Sequence, residues 1–391
     1  METTQAVEGQ PAEKSHPGGR RGTKWLIGLL IFGVAAVGVA ISQGGDAVSP
    51  VRNDESVLLF PTAAHYNPKT QEWEAEIHGW VFEPQKTKLL NSALIKLLKK
   101  SFTLDPAAAS SDIFQERAQW FLVDNEGGKA MVIDVDGQIA TSKPSAPNGH
   151  FEATLSLPVG SSRPAEKLSV MSSRTVLKSD DKREFGNQVF LIPDRGISVI
   201  SDIDDTIKVS NVRDHEELCR RTLFEEFEAV PDMASRYRVW AEAGAAFHYV
   251  SNSPWQLYDP LAQMLKDEKF PSGTVHLRHF RIQDGSFVSF LKNDSASKRQ
   301  MIDSLLKRWP NRQFVLVGDS GERDPEIYGE VARAFPQQVV FVAIRRSTED
   351  DPQGARFQSA FRDYPATNWT VFDDAAHLNV PVFTQTHPAT P

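Results

Sequence analysis

The chain has very little cysteine and no excess of basic residues. Cys219 is its single cysteine, which excludes an internal disulfide and a zinc site built from several cysteines. Lysine and arginine number 43 against 51 aspartate and glutamate residues, so the formal net charge is -8. This balance argues against a nucleic-acid partner, because nucleic acids are bound through clustered positive charge. Cys219 falls in an amphipathic pattern and is interpreted as a packing residue.

Long apolar runs are also scarce, and one of them suggests a membrane segment. The run Trp25–Ile41 carries no charge and approaches the roughly 20 residues that a spanning helix needs. Arg20, Arg21 and Lys24 flank its N-terminal side, so the positive-inside rule predicts a single-pass membrane protein with a cytoplasmic N-terminus. The rest of the chain, including any catalytic domain, would then be external or periplasmic. The alternative is a cleaved signal peptide and a secreted protein, since the run ends in small residues that form a weak cleavage site.

Two kinds of hydrophobic pattern divide the rest of the chain. Short alternating runs between Ser56 and Leu191, separated by turn residues, predict an antiparallel β-sandwich-like domain. From Ile197 onward, strand patterns alternate with helix patterns, which predicts a three-layer α/β domain with a parallel sheet. The predicted organisation is a disordered tail at 1-24, a transmembrane anchor at 25-42, a linker at 43-55, the β-sandwich-like domain at 56-193, the α/β domain at 194-380 and a tail at 381-391.

A basic amphipathic helix is predicted at 86-102, as an insertion in the β-sandwich-like domain. Leucine and isoleucine recur on one face of this pattern, and lysines occupy the other. Two interpretations remain open. The helix covers the sandwich, or it lies on a membrane and offers its lysines to anionic lipid.

The most informative stretch is an apolar strand that starts at Ile197 and runs directly into a group of carboxylates. Like charges grouped at one strand end require a counter-ion or a functional reason. Ligands of open α/β sheets bind in the crevice beyond the carboxyl ends of the strands. The spacing Asp-x-Asp-x-Thr, formed by Asp202, Asp204 and Thr206, resembles the first motif of the haloacid dehalogenase superfamily.

This resemblance implies phosphoryl transfer. Asp202 would act as the nucleophile and form an aspartyl-phosphate, which divides one difficult hydrolysis into two easier steps. Asp204 would protonate the leaving alcohol and then deprotonate the attacking water. An isolated Asp-x-Asp can also be a turn, and the string Asp134-Val135-Asp136-Gly137 is interpreted in that way.

Polar residues follow a second apolar strand, Phe247–Val250, in the order that the superfamily requires. Ser251 and Asn252 come at the tip of this strand, where Ser253 and the proline after it indicate a helix start. A helix N-terminus is a favourable place for a phosphoryl oxygen. We therefore expect Ser251, Asn252 and Thr206 to bind phosphate.

An acidic motif follows a third apolar strand. Asp319 and Asp324 lie in the string from Gly318 to Pro325, which resembles the acidic Gly-Asp-x(4)-Asp motif of the superfamily. Mg²⁺ prefers hard oxygen ligands and few protein groups. The resemblance implies a Mg²⁺ site formed by Asp202, Asp319 and Asp324, with Asp204 contributing its backbone carbonyl. Asp324 also precedes a proline, and helix capping explains it equally well.

Basic residues around these motifs receive different interpretations. Lys298, near the start of a helix at 295-307, is expected to hold the nucleophile in place and to offset phosphoryl charge as a catalytic residue. Lys292 is the alternative for this role. His276 and His279 alternate on a predicted strand and are interpreted as surface residues rather than metal ligands.

Longer strings narrow the resemblance. The strings Ser201–Ser210, Tyr249–Gln256 and Leu316–Tyr328 are similar to the catalytic domain of the Mg²⁺-dependent phosphatidate phosphatases of the fungal actin-patch type and their bacterial relatives. The similarity extends over about 187-378. It implies hydrolysis of phosphatidate, or a similar lipid phosphomonoester, to diacylglycerol and phosphate, with Mg²⁺ as the cofactor and a membrane as the place where the substrate is found.

Two alternatives to this function stay open. A phosphatase with the same mechanism could act on a phosphomonoester that is not a lipid. The chain could also be a catalytically inert, membrane-tethered binding protein whose β-sandwich carries the function. The fungal proteins are soluble whereas this chain has an apolar N-terminal run, and the physiological lipid depends on that difference.

Overall fold

A computed structural model describes residues 48–84, 111–160, 164–280 and 295–384. All of these residues belong to one compact unit. The predictions of a tail at 1-24, an anchor at 25-42 and a basic helix at 86-102 lie outside the described residues, as does Lys292.

Nine strands build the first sheet, and the long strand β3 is its centre. The strands are β1 (Ser56–Leu59), β2 (Thr62–Asn67), β3 (Glu72–Glu83), β4 (Asp124–Asn125), β5 (Val132–Val135), β6 (Gln138–Thr141), β7 (His150–Pro158), β8 (Ser169–Thr175) and β9 (Gly186–Ile192). Helix α1 (Asp112–Trp120) precedes β4 and begins at Ser111, whose hydroxyl accepts the Phe114 N–H. In β7 buried and exposed residues alternate, so one face of the strand packs on the core and the other meets solvent.

The pairing of these strands differs from an antiparallel sandwich in two respects. All nine strands are joined by hydrogen bonds into one sheet, and β2 pairs with β9 in parallel. The other pairs are antiparallel. Alternation along a strand shows which side chains are buried, but it does not show the direction of the neighbouring strand. The separate β-sandwich-like domain therefore stays a prediction.

Six parallel strands build the second sheet, in the order β12-β11-β10-β13-β14-β15. They are β10 (Ile197–Asp202), β11 (Ala246–Pro254), β12 (Thr274–Arg278), β13 (Gln313–Asp319), β14 (Val339–Arg345) and β15 (Trp369–Phe372). The helices of this part are α2 (His215–Leu223), α3 (Met233–Glu242), α4 (Tyr258–Asp267), α5 (Ser295–Arg308), α6 (Asp324–Ala334), α7 (Ala355–Ala360) and α8 (Pro381–Thr384). Short 3-10 turns lie at Trp255–Leu257, Ala366–Asn368 and Ala375–His377. The predicted mixed α/β class with a parallel sheet is confirmed.

Helices cover both faces of the parallel sheet. Val199 packs into one apolar cluster, together with residues of α2, α3 and α4. Its neighbour Ile200 packs into the cluster on the opposite face, with residues of α5, α6 and α7. Successive side chains of a strand point to opposite faces, so β10 is buried on both sides between two helical layers.

The carboxyl ends of three neighbouring strands meet at one edge of this sheet. Ile200 lies between His248 of β11 and Leu316 of β13, and all three strands run in the same direction. The residues that end these strands are therefore brought side by side, although they are far apart in the sequence. Asp202 ends β10, and Asp319 ends β13.

The two sheets pack directly on one another. Arg312 is 3% exposed, and its guanidinium donates to the carbonyl oxygens of Pro193, Arg195 and Ile197 in the segment that joins the sheets. Trp309 also donates its indole N–H to a carbonyl of β9. Every donor of a buried guanidinium needs an acceptor, so these bonds fix the joining segment against α5 and β13.

Two of the predicted boundaries need correction. The last residues of the predicted linker at 43-55 are packed rather than free, because Val51 is buried and the carboxylate of Glu55 is buried against Lys129. The predicted tail at 381-391 begins with helix α8, in which Phe383 stacks on Trp240 with ring centroids 4.9 Å apart. The folded part therefore extends beyond residue 380.

The predicted location in a membrane is also corrected. Among the described residues, no helix is long and apolar enough to cross a bilayer. Helix α5 has 14 residues, whereas a spanning helix needs about 20 apolar residues. The prediction of a single-pass membrane protein is therefore wrong for the part of the chain that the structure describes. The apolar run on which it depended lies outside that part.

Candidate active site

Asp202 lies at the buried end of β10 and is held from two sides. Its carboxylate is 2.7 Å from the Lys298 ammonium and accepts the Thr206 hydroxyl at 2.8 Å. It is 1% exposed. Burial raises the pKa of Asp202 well above its ordinary value, neighbouring carboxylates raise it further, and Lys298 opposes this shift. The side chain is oriented by contacts on both of its oxygens.

Three aspartates converge at this edge of the sheet. Oxygen atoms of Asp202, Asp319 and Asp324 lie within 4.8 Å of one another, and all three residues are buried. One oxygen of Asp319 accepts the Gly321 N–H and the Ser347 hydroxyl. Its other oxygen, Oδ1, is buried without a hydrogen-bond partner among the described residues. A buried carboxylate oxygen left in this state fits a hard cation, so these acidic groups form a candidate metal site.

Lys298 is the cation at the centre of the cluster. It is fully buried near the start of α5, and its ammonium lies 2.5 Å from Asp324 and 3.1 Å from Glu322, in addition to its contact with Asp202. Burial by itself would lower the pKa of Lys298, but the three carboxylates outweigh burial and raise it. Lys298 is therefore a permanent positive charge beside the Asp202 carboxylate.

Asp204 lies in a separate pocket of polar groups. Its Oδ1 is 2.8 Å from the Lys208 ammonium and accepts the Ser210 hydroxyl, also at 2.8 Å. Its Oδ2 accepts the hydroxyls of Ser251 and Ser253, each at 2.9 Å. Burial would raise the pKa of Asp204, but Lys208 and the hydroxyl donors lower it further than burial raises it. Asp204 is therefore held as a carboxylate.

The turn that carries Asp204 is stabilised by the aspartate that follows it. Asp205 has a positive φ of 54°, and its carboxylate accepts the backbone N–H groups of Ser210, Asn211 and Val212. Aspartate tolerates this backbone region because its short side chain bonds to nearby amides. The loop folds back over the strand end in this way and brings Lys208 to Asp204.

The residues expected to bind phosphate have protein partners in this arrangement. Thr206 donates to Asp202, Ser251 donates to Asp204, and the side-chain amide of Asn252 donates to Glu322 at 3.4 Å. All three lie beside the acidic cluster. A phosphoryl group would have to replace the Ser251 and Asn252 contacts in order to use these donors.

Sequence reasoning missed four residues of this site, namely Lys208, Ser210, Glu322 and Ser347. Lys208 and Ser210 follow Asp202 closely in the chain, and a lysine four residues after Asp204 is a signal for an ion pair. Glu322 lies inside the acidic motif and contacts Lys298. Ser347 follows β14, beyond the motifs, and its position carries no signal.

The site as a whole has an excess of negative charge. Its carboxyl groups number five and its ammonium groups two, namely Asp202, Asp204, Asp319, Glu322 and Asp324 against Lys208 and Lys298. Burial raises the pKa of Glu322 as well. Buried charges need partners, and a divalent cation would supply the positive charge that the two lysines leave wanting.

A glycine makes room for the acidic motif. A Cβ atom on Gly318 would lie 2.3 Å from the Asp324 carboxylate oxygen Oδ2 and 2.7 Å from the Tyr328 ring. No real Cβ approaches other heavy atoms so closely. A residue without a side chain at this position therefore lets α6 begin directly behind the end of β13.

Comparison with known proteins places part of the chain in a family. Residues 197–346 match the family model described as the phosphatidate phosphatase APP1 catalytic domain. An uncharacterised protein of Schizosaccharomyces pombe is 32% identical over 190 residues, which are 47% of this chain and 31% of that protein. The phosphatidate phosphatase APP1 of Saccharomyces cerevisiae is 37% identical over 155 residues, 38% of this chain and 26% of that protein. The chain thus spans less than a third of either relative.

A solved structure gives a more distant comparison. The D,D-heptose 1,7-bisphosphate phosphatase of B. bronchiseptica, in complex with magnesium and phosphate, aligns with a TM-score of 0.28 and 13% identity. The alignment covers 46% of this chain and 94% of that one, and a similarity of this size supports no inference. The sequence matches confirm the resemblance drawn from the motifs: residues 197–346 are a phosphatase catalytic domain of the APP1 phosphatidate phosphatase type.

Proposed function

We propose that the chain is a Mg²⁺-dependent phosphatase of the haloacid dehalogenase type, which hydrolyses a lipid phosphomonoester of the phosphatidate class. One observation carries this proposal. Oxygens of Asp202, Asp319 and Asp324 converge within 4.8 Å at the carboxyl edge of a parallel sheet, and Lys298 contacts the first of them. A purely structural cluster would have no reason to bury this many carboxylates.

Asp202 is the proposed nucleophile. In the first step one of its oxygens attacks phosphorus, the bond between phosphorus and the ester oxygen breaks, and the alcohol leaves with a proton. In the second step water attacks phosphorus, the bond to Asp202 breaks, and inorganic phosphate is released. Lys298 and Thr206 support this assignment, because their contacts orient both carboxylate oxygens.

Asp204 is the proposed group that exchanges protons with the alcohol and the water. Support comes from its hydrogen bonds, which hold it as a carboxylate, the form that accepts a proton from the attacking water. Donation to the leaving alcohol requires that Asp204 first carry a proton. Its contacts with Lys208 and Ser251 therefore have to change during the first step.

Asp202, Asp319 and Asp324 are the side chains that would hold the metal, together with the backbone carbonyl of Asp204. A bound Mg²⁺ supplies positive charge to the phosphoryl oxygens and to the acidic cluster. Asp324 is shared with Lys298, so this carboxylate also keeps the lysine in place. The roles of helix cap and metal support that the sequence left open for Asp324 are compatible.

Phosphate release from three substrates tests the function. Phosphatidate, lysophosphatidate and a water-soluble phosphomonoester are compared with the full chain, with Mg²⁺ and with EDTA. We expect Mg²⁺-dependent release that is fastest with phosphatidate. Faster release from the soluble ester would assign a different substrate, and no release from any of them would leave an inert domain.

Trapping of the intermediate tests the mechanism. Asp202→Asn should abolish release, whereas Asp204→Asn should slow the second step and let phosphate accumulate on Asp202. Acid quenching followed by mass spectrometry of the peptide that contains Asp202 measures this accumulation. Asp267→Asn, on the exposed end of α4, is the matched control. A phosphorylated peptide without Asp202, or full activity of Asp202→Asn, would contradict the mechanism.

A further inference from the structure

A second group of metal-ligating side chains lies away from the acidic cluster, where the two sheets meet. His78 on β3, His150 at the start of β7 and His279 just after β12 each place a ring nitrogen within 4.8 Å of the other two. His150 is buried, His78 is half-buried and His279 is exposed. Two of these residues come from the first sheet and one from the second.

The geometry of the three rings suits a tetrahedral metal ion. His78 Nε2 and His150 Nδ1 are 3.0 Å apart. Two nitrogens bound to one zinc ion at about 2.0 to 2.1 Å in tetrahedral geometry are separated by about 3.3 Å. The third ring, His279, stands at 83° to His150 with centroids 4.5 Å apart. Small movements of the side chains would let all three nitrogens reach one ion.

The surroundings keep these imidazoles in the form that binds metals. Trp80 stacks on His150 with ring centroids 5.4 Å apart, and Trp255 packs edge-on against His78 at 4.7 Å. Burial among these rings lowers the pKa of His78 to about 3. A neutral imidazole offers a nitrogen lone pair to a metal, and three of them without a carboxylate suit zinc-like ions rather than Mg²⁺.

We propose that His78, His150 and His279 form a binding site for a transition-metal ion of the Zn²⁺ class, which links the two sheets. Three protein nitrogens leave a fourth position of the tetrahedron open to water. This proposal does not depend on the proposed phosphatase function, because none of the three histidines contributes to the acidic cluster. It also replaces the interpretation of His279 as a residue with no ligand role.

Binding of Zn²⁺ or Co²⁺ to the metal-free full chain tests this site. We expect one Zn²⁺ to bind per chain with affinity lowered at least about tenfold in His279→Ala, since even the partners of metal ligands contribute that much. His279 is exposed, so its replacement leaves the core unchanged. His377→Ala, at another exposed histidine, should bind like the wild type. Co²⁺ should give the visible absorption of a four-coordinate nitrogen site in the wild type and not in His279→Ala.

Two further variants distinguish binding at the three histidines from binding at the acidic cluster and from a purely structural role of the imidazole. Asp319→Asn disrupts the acidic cluster and should leave the Zn²⁺ affinity unchanged. His279→Cys should restore binding, because a thiolate is a zinc ligand, whereas a structural role of the ring would not be restored. Equal Zn²⁺ binding by the wild type and His279→Ala, or loss of binding in Asp319→Asn, would overturn the proposal.

Discussion

Replacement of Lys298 by methionine removes the one cation that three buried carboxylates share. The Lys298 side chain is fully buried, and Asp202, Glu322 and Asp324 lie within 3.1 Å of its ammonium. Methionine has a similar length but no charge, so the cavity stays filled while the carboxylates lose their partner. Removal of one partner from a buried ion pair costs about 3 to 5 kcal/mol of unfolding free energy. We expect Lys298→Met to be destabilised by this amount in the absence of divalent metal.

The neighbouring residue on α5 provides the control. Arg299 makes ion pairs with Asp303 and Glu330, but its side chain is 24% exposed and that of Glu330 is 57% exposed. Exposed pairs of this kind contribute at most about 1 kcal/mol. Arg299→Met should therefore cost at most about 2 kcal/mol for the two pairs together, although it also removes one positive charge from the same helix.

Urea unfolding followed by tryptophan fluorescence measures both variants, with EDTA and with Mg²⁺. If a divalent cation binds among Asp202, Asp319 and Asp324, Mg²⁺ should recover part of the stability of Lys298→Met, because it supplies the missing positive charge. The same addition should change Arg299→Met no more than it changes the wild type. Equal unfolding free energies for the two variants in EDTA would refute the view that Lys298 balances the cluster.

Two further predictions concern the acidic motif and helix α2. A Cβ on Gly318 would collide with the Asp324 carboxylate, so Gly318→Ala should lower the rate of phosphate release roughly 10- to 100-fold. Gly160→Ala, whose Cβ would meet nothing within 4 Å, should leave the rate unchanged, and equal rates for both variants would contradict this reasoning. Hydrogen bonds from Arg220 and Arg221 lower the pKa of Glu217 from 4.5 to about 2. The stability that Glu217 contributes is therefore present above pH 4.5 and is lost as the pH falls toward 2. The difference in urea midpoint between the wild type and Glu217→Gln should disappear over that range, and a difference that persists at about pH 2 would argue against this linkage.

The meeting of Asp202 and Asp319 could be predicted from the sequence, because it depends only on strand order and direction. Each residue follows an apolar run, and runs that alternate with helices form parallel strands whose carboxyl ends share one edge. The turn at Asp134 and Gly137 was predictable for a similar reason. Gly137 takes a positive φ of 82° and donates its N–H to the Asp134 carboxylate, as a glycine in a tight hairpin does.

The polar partners inside the site could not be predicted in this way. Lys208 reaches Asp204 because the loop after β10 folds back, and Asp205 determines that fold through three backbone amides. Ser347 reaches Asp319 from the end of a different strand. Contacts of this kind depend on loop conformation and on side-chain rotamers, which hydrophobic periodicity does not encode. The parallel pairing of β2 and β9 was missed because alternation is the same for either direction.

The buried guanidinium of Arg312 has a practical consequence for shortened versions of the chain. Two of the carbonyl acceptors of Arg312, those of Pro193 and Arg195, precede the segment that matches the family model. A fragment cut at residue 197 would keep this charge in its interior and discard acceptors that solvent cannot easily replace. Any truncation made for crystallisation or screening should therefore retain the residues from Pro193 onward, together with the β9 strand on which Trp309 rests.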